Sequence, residues 1–265
     1  MMQSRRIAFV SCTHVGSTVG LWPPEWETEE GVVIKANKAQ LTIYQYWQDF
    51  IGSDEVGSAD TLILLGDLCQ GKNPKDFGLG TMTPSLHEQK LAAISLIQPI
   101  AEGRPVFGVS GSQYHDSIDL RLDKLVLNGV GGQYLGYLKN TTVKGPDITM
   151  NLAHGSNQPA MYKGSFDDRE IMLMSANGMT REIDLVVRGH WHYYHFLDNG
   201  ARAILRVPGW QCWYPARFMI DLLGKKNNKL GAVVLDITNK NGRIDYQVHR
   251  FRYEPPLTWG EPVSV

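Results

Sequence analysis

Residues 184–195 read D-L-V-V-R-G-H-W-H-Y-Y-H, a short apolar run followed by a glycine and by three histidines within six positions. The apolar run has the length and the β-branched content of a buried strand. The whole chain has only 8 histidines, and a neutral imidazole is a good ligand for a transition metal. Each histidine alone is also compatible with an ordinary surface or core position. The H-x-H pattern just past a strand end nevertheless predicts a strand that leads into a metal site.

The same pattern of a buried strand with a polar end recurs along the chain. Five apolar runs end in glycine or polar residues, at 6–11, 61–66, 105–110, 148–153 and 184–189. Amphipathic periodicity predicts helices over 37–51, 85–101, 117–127 and 167–176, and S-L-H-E at 85–88 has the form of a capping box. Strands that alternate with helices predict an α/β sandwich, and no linker divides the chain, so we expect one domain over residues 1–265.

Two regions depart from this alternation. Residues 15–33 form a long stretch with little periodicity, and its tryptophans predict an ordered, functional loop. The last third has strand-like runs at 202–207, 230–237 and 243–253, and K-N-G-R at 240–243 predicts a hairpin turn. These runs predict an antiparallel or mixed sheet that completes the layers.

Composition limits the functional classes. The chain has 26 Lys and Arg against 27 Asp and Glu, so no strong field favours polyanionic partners, although nucleic acid is not excluded. The 3 cysteines do not form a disulfide framework, and no apolar run approaches the roughly 20 residues of a membrane helix. We therefore expect a soluble cytoplasmic protein that does not enter membranes.

All five predicted strands deliver a side chain that can bind metal at the same end. In chain order these are Cys12 and His14, then Asp67, then His115 and Asp116, then His154, and finally His190 and His192. The carboxyl ends of strands in an open α/β sheet line one edge, which is where such sheets bind ligands. The sequence therefore predicts a metal site at this edge.

These residues resemble the calcineurin-like metallophosphoesterase family, whose pattern is D-x-H, G-D, G-N-H-D or G-N-H-E, a single His, and G-H-x-H. Here the corresponding motifs are C-T-H, G-D, G-S-Q-Y-H-D, H-G and G-H-W-H, over residues 6 to about 195. The resemblance implies a two-sheet β-sandwich of mixed strands flanked by helices in αββα order. The segments G-S-T-V-G-L-W-P-P at 16–24 and P-G-W-Q at 208–211 also look like a bacteriophage and prophage subgroup.

The resemblance further implies a dinuclear centre. His14, Asp67 and His192 would hold one divalent ion, and Asp67, His154 and His190 the other, with Mn, Zn or Fe as the metals. A hydroxide shared by the two ions would attack the phosphoester, and Asp67 would bridge them and offset their repulsion. His115 is then the candidate general acid and Asp116 the residue that fixes its tautomer, although His115 is also compatible with a packing role.

Two positions depart from the family pattern. Cys12 stands where the family has Asp, so a softer thiolate either moves the metal preference toward zinc or ferrous iron or weakens the site. Cys12 is also compatible with a small buried residue that has no metal role. The family Asn is missing, and its place falls to Gln113, Ser112 or a water; we take Gln113 as the candidate ligand.

Substrate residues are expected on two loops near this edge. Trp210 and Arg217 follow the strand at 202–207, and Tyr114 precedes His115; an aromatic ring and an arginine can stack a base and hold a phosphate. We therefore expect a phosphodiesterase or nuclease that acts on nucleic acid or nucleotides. A phosphomonoesterase with the same centre and a non-catalytic binding protein with a degenerate site are the alternatives. The oligomeric state is open.

Overall fold

Two mixed β-sheets lie face to face at the centre of the molecule. A computed structural model describes residues 2–72, 80–116, 121–155, 170, 172, 183–200, 202–212 and 229–256. The first sheet has the order β13-β12-β1-β4-β5-β6. Its strands are β1 (Met2–Val10), β4 (Thr61–Leu64), β5 (Val106–Gly108), β6 (Gln133–Tyr134), β12 (Val233–Lys240) and β13 (Arg243–Arg250).

The second sheet has the order β10-β11-β9-β8-β7. Its strands are β7 (Leu138–Val143), β8 (Ile148–Ala153), β9 (Leu185–Arg188), β10 (His195–Asp198) and β11 (Ala203–Arg206). A separate hairpin consists of β2 (Glu25–Glu27) and β3 (Val33–Lys35). The helices of the described residues are α1 (Lys38–Ile51), α2 (Asp54–Gly57), α3 (Leu86–Ala101) and α4 (Leu122–Gly129).

The central strands contain continuous apolar stretches where both of their faces are covered. In β1, Ala8 and Val10 pack into a core formed with α1, α3 and α4, while Ile7 and Phe9 pack against the second sheet. Successive side chains of a strand point to opposite faces, so a strand in a middle layer must be hydrophobic at consecutive positions. The predicted fold class, an α/β sandwich with two mixed sheets, is confirmed. The predicted helix at 167–176 lies almost entirely outside the described residues.

The strands of the last third are divided between the two sheets. β12 pairs antiparallel with β1, and β13 pairs with β12, so both belong to the first sheet. Only β11 belongs to the second sheet, where it runs parallel to β9. The predicted hairpin turn between β12 and β13 is confirmed: Asn241 and Gly242 both have positive φ, as a tight two-residue hairpin requires.

The long loop at 15–33 is ordered and is attached to α3 by a buried carboxylate. Ser85 caps α3 as predicted, but the Glu88 side chain does not complete a capping box. It accepts hydrogen bonds instead from the indole N–H of Trp26 and the backbone N–H of Glu29. Across the described residues, no helix combines the length and the apolar character that a membrane span requires.

Candidate metal centre

The predicted ligands lie where strand ends of the two sheets meet. In the first sheet, Cys12 and His14 follow β1 and Asp67 follows β4. In the second sheet, His154 follows β8, and His190 and His192 follow β9. Three sets of side chains bring their ligand atoms within 4.8 Å of one another: Cys12 with His14 and His192, Cys12 with Asp67 and His154, and His14 with Asp67 and His115. The candidate centre therefore spans both sheets, and Cys12 and Asp67 each belong to two sets.

The spacing of the ligand atoms suits coordination. His14 Nε2 lies 3.2 Å from His192 Nε2, and His154 Nε2 lies 3.0 Å from His190 Nδ1 and 2.9 Å from Asp67 Oδ2. Two nitrogens that bind one tetrahedral zinc at about 2.0–2.1 Å stand roughly 3.3–3.4 Å apart. The His14 ring is buried and its Nδ1 has no hydrogen-bond partner, which is costly for a polar atom at this depth. These residues therefore fit divalent cations.

The backbone of the candidate ligands is strained. Cys12, His14, Asp67, His190 and His192 all have φ between 44° and 68°, in the left-handed region. Of the described residues other than glycine, only three more have positive φ. Each such conformation costs on the order of 1–3 kcal/mol and tends to persist at functional sites. The strain is concentrated on the side chains that converge, which points to a role for them in function rather than in folding.

Glycines allow the strand-end turns to touch. A Cβ on Gly66 would lie 2.3 Å from the Gly111 nitrogen, and a Cβ on Gly111 would lie 2.1 Å from Asp67 Oδ1. A Cβ on Gly189 would likewise lie 2.0 Å from Ser11 Oγ. Any side chain at these three positions would separate the turns that carry the candidate ligands.

We expect Gly111→Ala to destabilise the fold by about 1–3 kcal/mol, because the added methyl group overlaps Asp67. It should also lower cation binding, since Asp67 has to move. Urea unfolding and metal titration of the variant measure both effects. Gly57→Ala is the matched control: its Cβ meets nothing within 4 Å, so its stability should stay within about 1 kcal/mol of the natural protein. Equal behaviour of the two variants would contradict the close-packing account.

Charge inside the centre favours the ligand forms of Asp67 and His14. Burial raises the pKa of Asp67, but the nearby His154 and His115 outweigh it and hold that pKa well below its usual range. Burial, together with the charges of His115 and His192, lowers the pKa of His14 well below its usual value. An ionised carboxylate and a neutral imidazole are the forms that bind metal.

Cys12 is buried with its sulfur turned into the centre. Its Sγ accepts the backbone N–H of His190 at 3.2 Å and lies 3.0 Å from Ser11 Oγ. Burial raises the pKa of the thiol, and the negative charge of Asp67 raises it further. A divalent cation supplies the positive charge that a thiolate at this position requires.

Backbone carbonyls orient two of the histidines. A carbonyl can only accept, so His154 Nδ1 donates to Leu65 O at 2.5 Å and leaves Nε2 for the centre. In the same way, His115 Nδ1 donates to Gln70 O at 2.7 Å. The prediction that Asp116 fixes the His115 tautomer is therefore wrong. Asp116 Oδ1 accepts instead from the backbone N–H of Asp123.

Asp67 contacts Ser112, which the sequence offered only as an alternative to Gln113, and Asp123, which the sequence analysis did not name. Ser112 donates its backbone N–H to Asp67 Oδ1 at 2.7 Å, and its hydroxyl lies 3.3 Å from Oδ2. Asp123 accepts the backbone N–H of Asp67. Burial raises the pKa of Asp123 to about 8, and Asp116 and Asp67 contribute. A signal for Asp123 exists in the sequence, because it shares the apolar face of its helix with Val126 and Leu127.

The other predicted residues are not all at the centre. Gln113 is exposed, and its neighbour Ser112 is the residue that contacts Asp67. Tyr114 is partly buried on the turn before His115. Trp210 is fully buried, with its ring 5.0 Å from that of Trp47; a buried ring cannot stack on a base, so that prediction is wrong. Arg217 lies outside the described residues.

No protein-family model matches the chain, and no curated protein matches it. Similar solved structures include an archaeal phosphodiesterase, at 12% identity over 92% of this chain and 99% of that chain, with a TM-score of 0.48. The zinc complex of Vps29 from Entamoeba histolytica shares 13% identity over 93% and 99%, with a TM-score of 0.42. A predicted phosphoesterase from Streptococcus pneumoniae TIGR4 shares 11% over 94% and 100%, with a TM-score of 0.39. Likenesses this distant do not determine what this chain binds or hydrolyses.

Proposed function

We propose that this chain is a metal-dependent phosphoesterase that binds two divalent cations at the strand ends and hydrolyses phosphodiesters. The observation that carries the proposal is that six candidate ligands from two sheets converge, five of them in a strained backbone conformation: Cys12, His14, Asp67, His154, His190 and His192. A structural cluster of buried histidines has no need of such strain. Such strain is instead typical of functional sites, where the backbone fixes the direction in which side chains present their lone pairs.

The donor set indicates which cations the centre would hold. Four imidazoles, a carboxylate and a thiolate form a mixed nitrogen, oxygen and sulfur set, which suits zinc and ferrous iron better than magnesium or calcium. Manganese is a third candidate through Asp67 and the histidines. When bound, such a pair of cations activates a water molecule, holds two phosphate oxygens and stabilises the charge that develops during in-line displacement.

The chain's own residues supply the remaining steps. His115 is partly exposed at the rim and its Nδ1 is occupied by Gln70 O, so Nε2 is the nitrogen that would donate a proton to the leaving alkoxide. Ser112 holds both oxygens of Asp67 and so keeps this carboxylate aimed at the centre. Gly71 lets the backbone pass close to His115, because a Cβ there would lie 2.3 Å from His115 O.

The charge of the surrounding loops favours diesters over monoesters. Within residues 11–22, 65–72, 109–116, 154–155, 189–194 and 207–212, all of which are described, Lys72 is the single Lys or Arg. A phosphomonoester carries about −1.5 to −2 charge at pH 7, which cationic side chains generally neutralise. A phosphodiester carries a single negative charge and therefore needs less neutralisation by cationic side chains. The further expectations of a nucleotide or nucleic-acid substrate and of a phage origin stay predictions.

The decisive experiment compares hydrolysis of bis-p-nitrophenyl phosphate with that of p-nitrophenyl phosphate, each with Mn²⁺, Zn²⁺ and Fe²⁺. We expect metal-dependent turnover with the diester preferred. A preference for the monoester would move the proposal to a phosphomonoesterase. Absence of turnover with every metal, together with less than one bound metal per chain, would contradict the enzyme and support a non-catalytic binding protein.

We expect His115→Ala to slow diesters with poor leaving groups by about a hundredfold. Diesters with good leaving groups should be affected much less, because a nitrophenolate departs without a proton. The measurement is the dependence of kcat on leaving-group pKa for the natural protein and the variant. An unchanged slope would show that His115 is not the proton donor.

A further inference from the structure

Asp123 occupies an unusual position for a buried carboxylate. It lies in the first turn of α4, is 1% exposed, and accepts three backbone N–H groups from two different turns. Its Oδ2 accepts from Asp67 at 3.0 Å and from Gly111 at 2.7 Å, and its Oδ1 accepts from Leu68 at 2.9 Å. The Asp123 side chain therefore accepts hydrogen bonds from N–H groups that follow β4 and β5 and are not paired within the sheet.

These three N–H groups all point to the Asp123 carboxylate because the turn after β4 and the turn after β5 are in contact. Gly66 and Gly111 meet with no side chain between them, and a Cβ on Gly111 would lie 2.8 Å from Asp123 Oδ2. Unpaired N–H groups at this depth would cost roughly 1–3 kcal/mol each. Asp123 therefore holds together two turns that would otherwise leave buried donors unsatisfied.

Both turns determine where the Asp67 carboxylate points. Asp67 has φ of 51°, and the N–H that begins this strained residue donates to Asp123. The residue after Gly111 is Ser112, which donates to Asp67 Oδ1. Asp123 thus constrains Asp67 through its own backbone and through the neighbour that holds its side chain.

We propose that Asp123 is a positioning residue for the cation centre: through three backbone hydrogen bonds it holds Asp67 in the orientation that lets its carboxylate serve two cations. The inference rests on the proposed function. It assigns Asp123 no contact with substrate or metal. Loss of residues that orient metal ligands typically costs about 10–100-fold in metal affinity.

The test is equilibrium titration with Co²⁺, read by the visible spectrum of the bound ion, on the natural protein, Asp123→Asn and Glu88→Gln. The asparagine oxygen can replace Oδ2, but its NH₂ group then faces the Leu68 N–H. We expect a 10–100-fold weaker affinity and an altered spectrum for Asp123→Asn. Glu88→Gln is the matched control, a buried carboxylate in the first turn of α3 that accepts loop N–H groups away from the centre. It should keep the natural affinity and spectrum.

Asp123→Glu provides a second variant if Asp123→Asn does not fold. It keeps the carboxyl group and its two oxygens but displaces them by one methylene, so the spectrum should change with a smaller loss of affinity. Natural affinity and spectrum in a folded Asp123 variant would overturn the positioning role. A natural protein that takes up no Co²⁺ would instead contradict the cation centre itself, so the two failures are distinguishable.

Discussion

Asp67→Asn is expected to abolish cation binding and phosphodiester hydrolysis together. Asp67 is buried, its Oδ2 lies 2.9 Å from His154 Nε2, and both its oxygens are held by Ser112. The amide has nearly the same size but no charge, so two divalent cations would lose the carboxylate that offsets their repulsion. Removal of one partner from a buried charged group costs about 3–5 kcal/mol, which is roughly three orders of magnitude in affinity or rate.

The measurement is metal content after dialysis together with kcat/KM for a diester. Asp236→Asn is the control, because Asp236 is also a strand carboxylate, paired with Arg6 and within 3.0 Å of His249 Nε2, but lies in β12. It should retain metal and turnover. Full metal content in Asp67→Asn, or an equal loss in both variants, would show that Asp67 is not the shared ligand.

Substitution of Cys12 is expected to change which cation the centre accepts. Cys12 is the only sulfur among the candidate ligands and belongs to two of the three ligand sets. Cys12→Ser should weaken zinc binding by roughly a hundredfold to a thousandfold, because a neutral hydroxyl replaces a thiolate in a buried site. Cys12→Asp should bind manganese at the expense of zinc and retain turnover with manganese, because a carboxylate is a harder ligand.

A spectrum tests this assignment without reference to activity. Cobalt bound through a thiolate gives a charge-transfer band in the near ultraviolet, and we expect this band in the natural protein but not in Cys12→Ser or Cys12→Asp. Cys69→Ser is the control, since Cys69 is equally buried but its Sγ faces Gln89 O rather than the centre. If the band is absent from the natural protein, or survives in both Cys12 variants, Cys12 is a packing residue.

The central strands are predictable from the sequence, because burial on both faces requires apolar residues at consecutive positions. Ile7 to Val10 are all apolar, and so are Leu62 to Leu64. The sequence does not predict β7, whose residues are mostly exposed and which is an edge strand held by pairing with β8. The sheet that each strand joins also escapes prediction. The residue pattern of a strand that is apolar on both faces does not identify the strand beside it. The placement of β12 beside β1 therefore depends on pairing between residues far apart in the sequence.

At the centre, side chains that present their own ligand atoms are predictable and those that act through the backbone are not. His190 and His192 stand out because metal binding restricts the residue type. Gln70 acts through its backbone carbonyl, so its contact with His115 leaves no residue pattern. Asp123 leaves only the signal of a carboxylate on an apolar helix face, which does not show that it accepts backbone N–H groups. The role of Trp210 is not predictable from its residue type, because a large ring can either stack on a substrate or pack in the core. The full burial of Trp210 in the structure shows that it packs in the core.

The central claim is that side chains from both sheets hold a pair of cations around Asp67. Anomalous X-ray diffraction at the zinc edge, on crystals grown with zinc, tests it most directly. We predict two peaks about 3.5–4 Å apart, one beside His14 and His192 and the other beside His154 and His190, with Asp67 between them. Zinc bound only at the protein surface, with no peak within coordinating distance of Asp67, would contradict it.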